Sequence, residues 1–231
     1  MSFTTKGIDT TPKKELGPDK NLGLGNHVAR IFNMELRTMP YNAEQMELVL
    51  TLVGNPTEPN FEGWPIDQDN PSKGTFPGPM TRVATSPFKF ESRTLADGTF
   101  IDRDAQIMKT IAIIADELNV RNQLDEVDAE TLQEYVQAAS HIFKASKTKL
   151  NVLIGGSKYL NKEGKLRTNY SFPYLKKGRA FQNVDAEQNI VPTYDESVHL
   201  YIPEKVKASL VNEQSQPQTT ASSVQDDDFD W

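Results

Sequence analysis

At 231 residues, with 25 basic and 32 acidic side chains and no cysteine, the chain suits one domain, or one domain with tails. The lack of cysteine excludes a disulfide framework, a thiolate zinc site and a cysteine nucleophile. Three scattered histidines (His27, His141, His199) leave little for a histidine metal site. No apolar run approaches the roughly 18 residues of a membrane-spanning helix, and the start, Met1 to Lys6, lacks the apolar stretch of a signal peptide, so a soluble cytoplasmic protein is expected.

Residues 1–25 are rich in Gly, Pro, Lys and Thr and read as a flexible arm. Regular structure is expected from Asn26, where Val28, Ile31 and Phe32 favour a long strand. Pro40-Tyr41-Asn42-Ala43 reads as a turn. Met46, Leu48, Leu50 and Leu52 then alternate onto one face, and Gly54-Asn55-Pro56 stops the strand. The two strands make a hairpin. Six prolines between residues 54 and 79 forbid a long helix or a central strand there. Residues 81–90 read as a third strand, bent at Pro87.

Two amphipathic helices follow. Residues 102–118 place Ile107, Met108, Ile111, Ile114, Ala115 and Leu118 at helical spacing; residues 128–143, with Asp128 as the expected N-cap, do the same with Leu132, Tyr135, Val136, Ala139, Ile142 and Phe143. Strands are expected at 149–154, ended by Gly155-Gly156, at 166–172 and at 197–202. Hairpin, third strand, helical insert at about 102–143, then more strands is the order of a five-stranded Greek-key barrel with a helix between its third and fourth strands. The expected class is therefore mainly β with a helical insert, an OB-fold-like barrel over residues 26–210. Other small barrels or an α+β sheet would give the same string.

The templates of catalysis are absent. Gly23-Leu24-Gly25 lacks the third glycine of a dinucleotide fingerprint, and Gly155-Gly156-Ser157-Lys158 lacks the phosphate-loop frame. No His-Glu-x-x-His or Gly-x-Ser-x-Gly occurs. The acidic pairs Asp67/Asp69 and Asp102/Asp104 read better as a turn and a helix N-terminus than as metal ligands. A non-enzymatic protein without cofactor or metal is expected.

Charge is concentrated. Residues 144–181 carry ten basic groups and one acidic, against a chain total of −7. Lys144, Lys147, Lys149, Lys158, Lys162, Lys165, Arg167, Lys176, Lys177 and Arg179 are interleaved with Tyr159, Tyr170, Phe172, Tyr174 and Phe181. Single-stranded nucleic acid calls for this combination, because cations track phosphates and rings stack on any base. Tyr170, Phe172 and Tyr174 alternate, so an extended chain would present all three on one face. A core role is the plainer reading of any one ring. Five rings inside so basic a segment favour binding.

Residues 212–225 have linker composition, Gln, Ser and Thr with one charge. The end, Asp226-Asp227-Asp228-Phe229-Asp230-Trp231, suits a docking peptide whose rings enter an apolar pocket while the acids meet a basic rim. Residues 211–231 thus read as linker and acidic tail.

A basic, aromatic-bearing barrel, a polar linker and an acidic tip with a terminal aromatic resemble bacterial and bacteriophage single-stranded DNA-binding proteins. Trp231 and the long helical insert are nearer the phage type. The resemblance implies a sequence-tolerant single-stranded DNA-binding protein of replication, recombination and repair. It would protect single strands and recruit partner proteins through Asp226–Trp231, in the host cytoplasm if phage-encoded. The rival expectation is a phage structural or assembly protein with an acidic docking tail; an RNA-binding module is a third.

Overall fold

The computed structural model describes residues 19–59 and 61–208; the acidic tip and most of the N-terminal arm lie outside them. Its first two strands, β1 (Gly25–Met39) and β2 (Asn42–Gly54), form the expected hairpin, with Leu36 opposite Leu48 and Met34 opposite Leu50. β3 (Met80–Ala84) pairs antiparallel with β2. It is shorter than the sequence suggested. The chain leaves the sheet after Ala84 and meets β2 again through the Phe90–Met46 bridge and the neighbouring Lys89–Glu47 and Gln45–Glu91 side-chain bonds.

A small hairpin of β4 (Arg93–Thr94) and β5 (Phe100–Ile101) leads into the helical insert. α1 (Arg103–Glu117) is capped by Asp102, whose side chain accepts from the Asp104 amide. A short α2 (Arg121–Asp125), not foreseen, follows. α3 (Leu132–Ser146) starts later than expected, because Thr131 and Glu134 close a reciprocal capping box that Asp128 has no partner for at that spacing.

β6 (Leu150–Leu160) and β7 (Leu166–Ser171) form a second long hairpin. Gly155 and Gly156 do not end this strand, contrary to expectation; they lie inside β6. A Cβ on Gly156 would overlap the carbonyl oxygen of Asn169 on β7, and one on Gly155 would meet that of His199. The glycines therefore permit close backbone approach rather than a turn. The end of the chain adds β8 (Phe181–Asn183), α4 (Glu196–His199) and β9 (Leu200–Tyr201), the last pairing parallel with β6. Residues 197–202, expected as one strand, thus divide into a helical turn and two strand residues.

Five strands close a ring: β1–β2–β3–β7–β6 and back to β1, where Gly25–Ala29 pair with Leu150–Ile154. β3 and β7 meet in parallel, so the sheet is mixed. The fold is mainly β, with a ring-like mixed sheet and a few helices. β1 serves two neighbours, pairing with β6 at its start and β2 along the rest. It turns at a bulge between Ile31 and Asn33. There α3 completes the polar pairing: the Met34 amide donates to Ser140 Oγ at 2.8 Å, and that hydroxyl donates to Asn33 Oδ1 at 3.1 Å.

Inside the ring lie Leu48, Leu50, Leu52, Val83, Leu150, Val152 and Ile154, continuous with Ile107, Ile111 and Ile114 of α1 and Val136, Ala139 and Phe143 of α3. Residues 55–59 and 61–79 are not a loose loop. They fold back over the outer side of β2 and β3, where Phe76 and Trp64 join Phe32, Val53 and Met80 in a second apolar cluster. The Phe76 amide donates to the Trp64 carbonyl at 2.8 Å, and the Phe32 and Phe76 rings meet edge-on at 4.9 Å.

Candidate nucleic-acid interface

The fourteen residues expected to touch nucleic acid fall into four groups. Phe172 and Phe181 are core residues, 2% and 9% exposed, with ring centres 5.2 Å apart. They present no face to a base, and the expectation that they stack is corrected. Tyr170, on the inward face of β7 two residues before Phe172, is half-buried against the same core. Of the alternating trio only Tyr174, 72% exposed, is open, because it lies beyond the end of β7. It packs edge-on against exposed Phe88 at 6.3 Å, beside a cleft of about 250 Å³ that Arg179 also lines. Lys176 and Lys177 stand exposed nearby in the chain, whereas Arg179 is held by Glu117 at 2.5 Å.

The β6–β7 hairpin carries the second set of open groups. Tyr159 lies directly opposite Arg167, so both side chains leave the same face. Lys158 and Thr168 share the other face, and Lys158 Nζ donates to Thr168 Oγ1 at 2.8 Å. At the tip, Lys162 is exposed and Lys165 pairs with Glu163 at 3.1 Å.

Lys147 and Lys149 form the last group, with a residue that the sequence reading missed. They line a cleft of about 300 Å³ together with Arg30 of β1, alongside Ala29, Val53 and Gly54. The pairing of β1 with β6 brings Arg30 there. Lys147 caps α3 in the left-handed conformation, φ 55°, a geometry usually left to glycine or asparagine. None of the three has an acidic partner among the described residues. Lys144, one turn earlier, sits 4.3 Å from the centre of the Phe32 ring.

The outer face of β1–β3 differs. Arg82 meets Glu35 at 2.6 Å, and Arg37 meets Glu47 at 2.6 Å. Glu47 is buried and also bonds Lys89, whose pKa is lowered first by burial and then by Arg37. Two sequence candidates for metal binding have ordinary structural work: Asp67 bonds Lys73 and the Asp69 and Asn70 amides, and Asp102 caps α1. No helix among the described residues is long and apolar enough to cross a membrane. Residues 226–231, the expected partner-binding tip, lie outside the described residues.

Phe88, Tyr201 and Arg30 join the candidate set only through the fold. Each lies outside the basic segment, and only strand pairing or ring contact brings it beside that segment's residues. In comparisons with known proteins, no family model matches the chain, and no curated protein and no solved structure matches it.

Proposed function

We propose that this is a non-enzymatic, sequence-tolerant single-stranded DNA-binding protein of replication or recombination, of the phage type, acting in the host cytoplasm. Its ring is an OB-fold barrel: in chain order the strands run first, second, third, fifth, fourth around the ring, with the helical insert between third and fourth. The acidic, aromatic tip Asp226–Trp231 recruits partner proteins.

One observation carries the reading. In a chain of net charge −7, eight cations of the basic segment (Lys144, Lys147, Lys149, Lys158, Lys162, Arg167, Lys176, Lys177) and Arg30 stand without an acidic partner among the described residues. Arg37, Arg82 and Lys89, further along the β1–β3 face, are by contrast matched with glutamates. A polyanion is the ligand such a surplus fits. Exposed rings at Tyr159 and Tyr174 supply the sequence-blind stacking that single strands need.

Oligo-dT affinity is expected to fall steeply with salt. Each neutralised phosphate contributes about −0.7 to the log–log slope, so six engaged cations give roughly −4. Fluorescence titration at several salt concentrations measures it, and a slope near zero would remove the reading.

Lys147 supplies a second check. A non-glycine residue in the left-handed region costs about 1 kcal/mol relative to glycine. Lys147→Gly should therefore raise thermal stability slightly while weakening oligo-dT binding by about fivefold near 0.1 M salt. A variant more stable and equally tight would mean that the lysine is no phosphate contact.

A further inference from the structure

OB-fold barrels bind oligonucleotides over the face of their second and third strands, between the loops that flank it. In this chain that face is closed. Residues 61–79 cover one end of it with the Phe32–Trp64–Phe76 cluster. Arg82, Glu35, Arg37, Glu47 and Lys89 pair with one another across the rest. No residue of β2 or β3 exposes an aromatic ring.

A different face is open. β9 lies in parallel beside β6, with Tyr201 in register with Ser157. Tyr159 is two residues further along β6, so Tyr201, Ser157 and Tyr159 project from one side of the sheet. Arg167 of β7, opposite Tyr159, projects from that same side, as does Asn169, opposite Ser157. The face β9–β6–β7 thus carries two rings, 68% and 38% exposed, with a guanidinium that has no acidic partner among the described residues. One strand spacing across and two residues along separate the two tyrosine Cα atoms by about 8 Å. That separation leaves room for a base to contact one ring or both at about 3.5 Å. Lys162 extends the positive charge to the hairpin tip, where Lys165 is paired with Glu163.

Resting on the reading of this protein as a single-stranded DNA binder, we propose that the bases stack on Tyr159 and Tyr201 on the outer face of β9–β6–β7. Arg167, across Tyr159 from Tyr201, holds a phosphate beside the base on Tyr159. The strand therefore avoids the β2–β3 face. Single-stranded DNA is the occupant because the rings are open, the neighbouring charge is positive, and no acid neutralises Arg167. Tyr201 belongs to the site although it lies outside the basic segment, on a strand of two residues.

The test is photocrosslinking of the full chain to an oligonucleotide carrying 5-iododeoxyuridine, with the attached residues mapped by mass spectrometry. It is paired with oligo-dT titrations of Tyr159→Ala, Tyr201→Ala and the corresponding Phe variants. Crosslinks at Tyr159 and Tyr201 are expected. Each Ala variant should bind roughly five- to a hundredfold more weakly with an unchanged salt slope, and each Phe variant should bind almost as the parent does. Crosslinks on Trp64, or on Phe32 or another residue of β1–β3, with both Ala variants binding normally, would overturn this site and leave DNA binding standing. An unaltered protein that neither crosslinks nor binds would overturn the functional reading itself.

Discussion

Replacing Arg30, Lys147 and Lys149 together by glutamine will lower oligo-dT affinity about a hundredfold at roughly 0.1 M salt and flatten the salt slope by about 2. The magnitude follows from counterion release. Each phosphate neutralised on a single strand adds about 0.7 log units of affinity per tenfold dilution of salt, and three cations line the cleft between β1, the end of β2 and the turn from α3 to β6. The fold should survive, because none of the three bonds an acid among the described residues, and two of them are exposed. Thermal melts of the triple variant, matched to titrations at three salt concentrations, separate the two quantities. If only the Arg30→Gln variant binds normally, the strand's path covers the lysines and misses β1. If the triple variant binds normally with its slope intact, the cleft is off the path altogether, whatever the hairpin does.

Phe172→Ala, in contrast, should cost about 3–5 kcal/mol of stability, with little effect on the affinity of the molecules that remain folded. Phe172 is 2% exposed, packs on Phe181, and belongs to the core that fills the ring. Its amide also ties β7 to the end of β3 through the Ala84 carbonyl at 2.8 Å. Alanine keeps that bond and leaves a ring-sized void. For a domain of this size, such a loss lowers the melting temperature by about 10 °C or more. Calorimetry reads the shift. A variant that melts like the parent and binds DNA weakly would return Phe172 to the stacking surface.

The contrast between these two variants shows where sequence reading succeeds and where it stops. The first hairpin was legible because alternation from Met46 to Leu52 and the turn at Pro40 leave few alternatives. α1 was legible because Asp102 and the isoleucine spacing agree. The trio Tyr170, Phe172, Tyr174 was misread because a period of two says which residues share a face and not which face is inside. Tyr170 and Phe172 do share one; it is the inner one. Gly155-Gly156 looked like punctuation because glycine that ends a strand and glycine that lets two backbones meet are spelled alike. Arg30 and Tyr201 were out of reach for a different reason. Their proximity to the basic segment is a property of pairing between β1 and β6 and between β6 and β9.

The closure of the ring has a kinetic meaning. β1 pairs with residues 150–154, and β3 waits for residue 171. At a synthesis rate of about 5–20 residues per second, β3 precedes its last neighbour by roughly 5–15 s. Throughout that interval the apolar row Leu48, Leu50, Leu52 faces no finished interior, and two sheet edges stand unpaired. Pairings so distant in sequence also raise the contact order and slow the search for the native state. The nascent chain is therefore most exposed to association with its own copies after the first hairpin has formed and before β7 arrives, and the helical insert is the only shelter made in between.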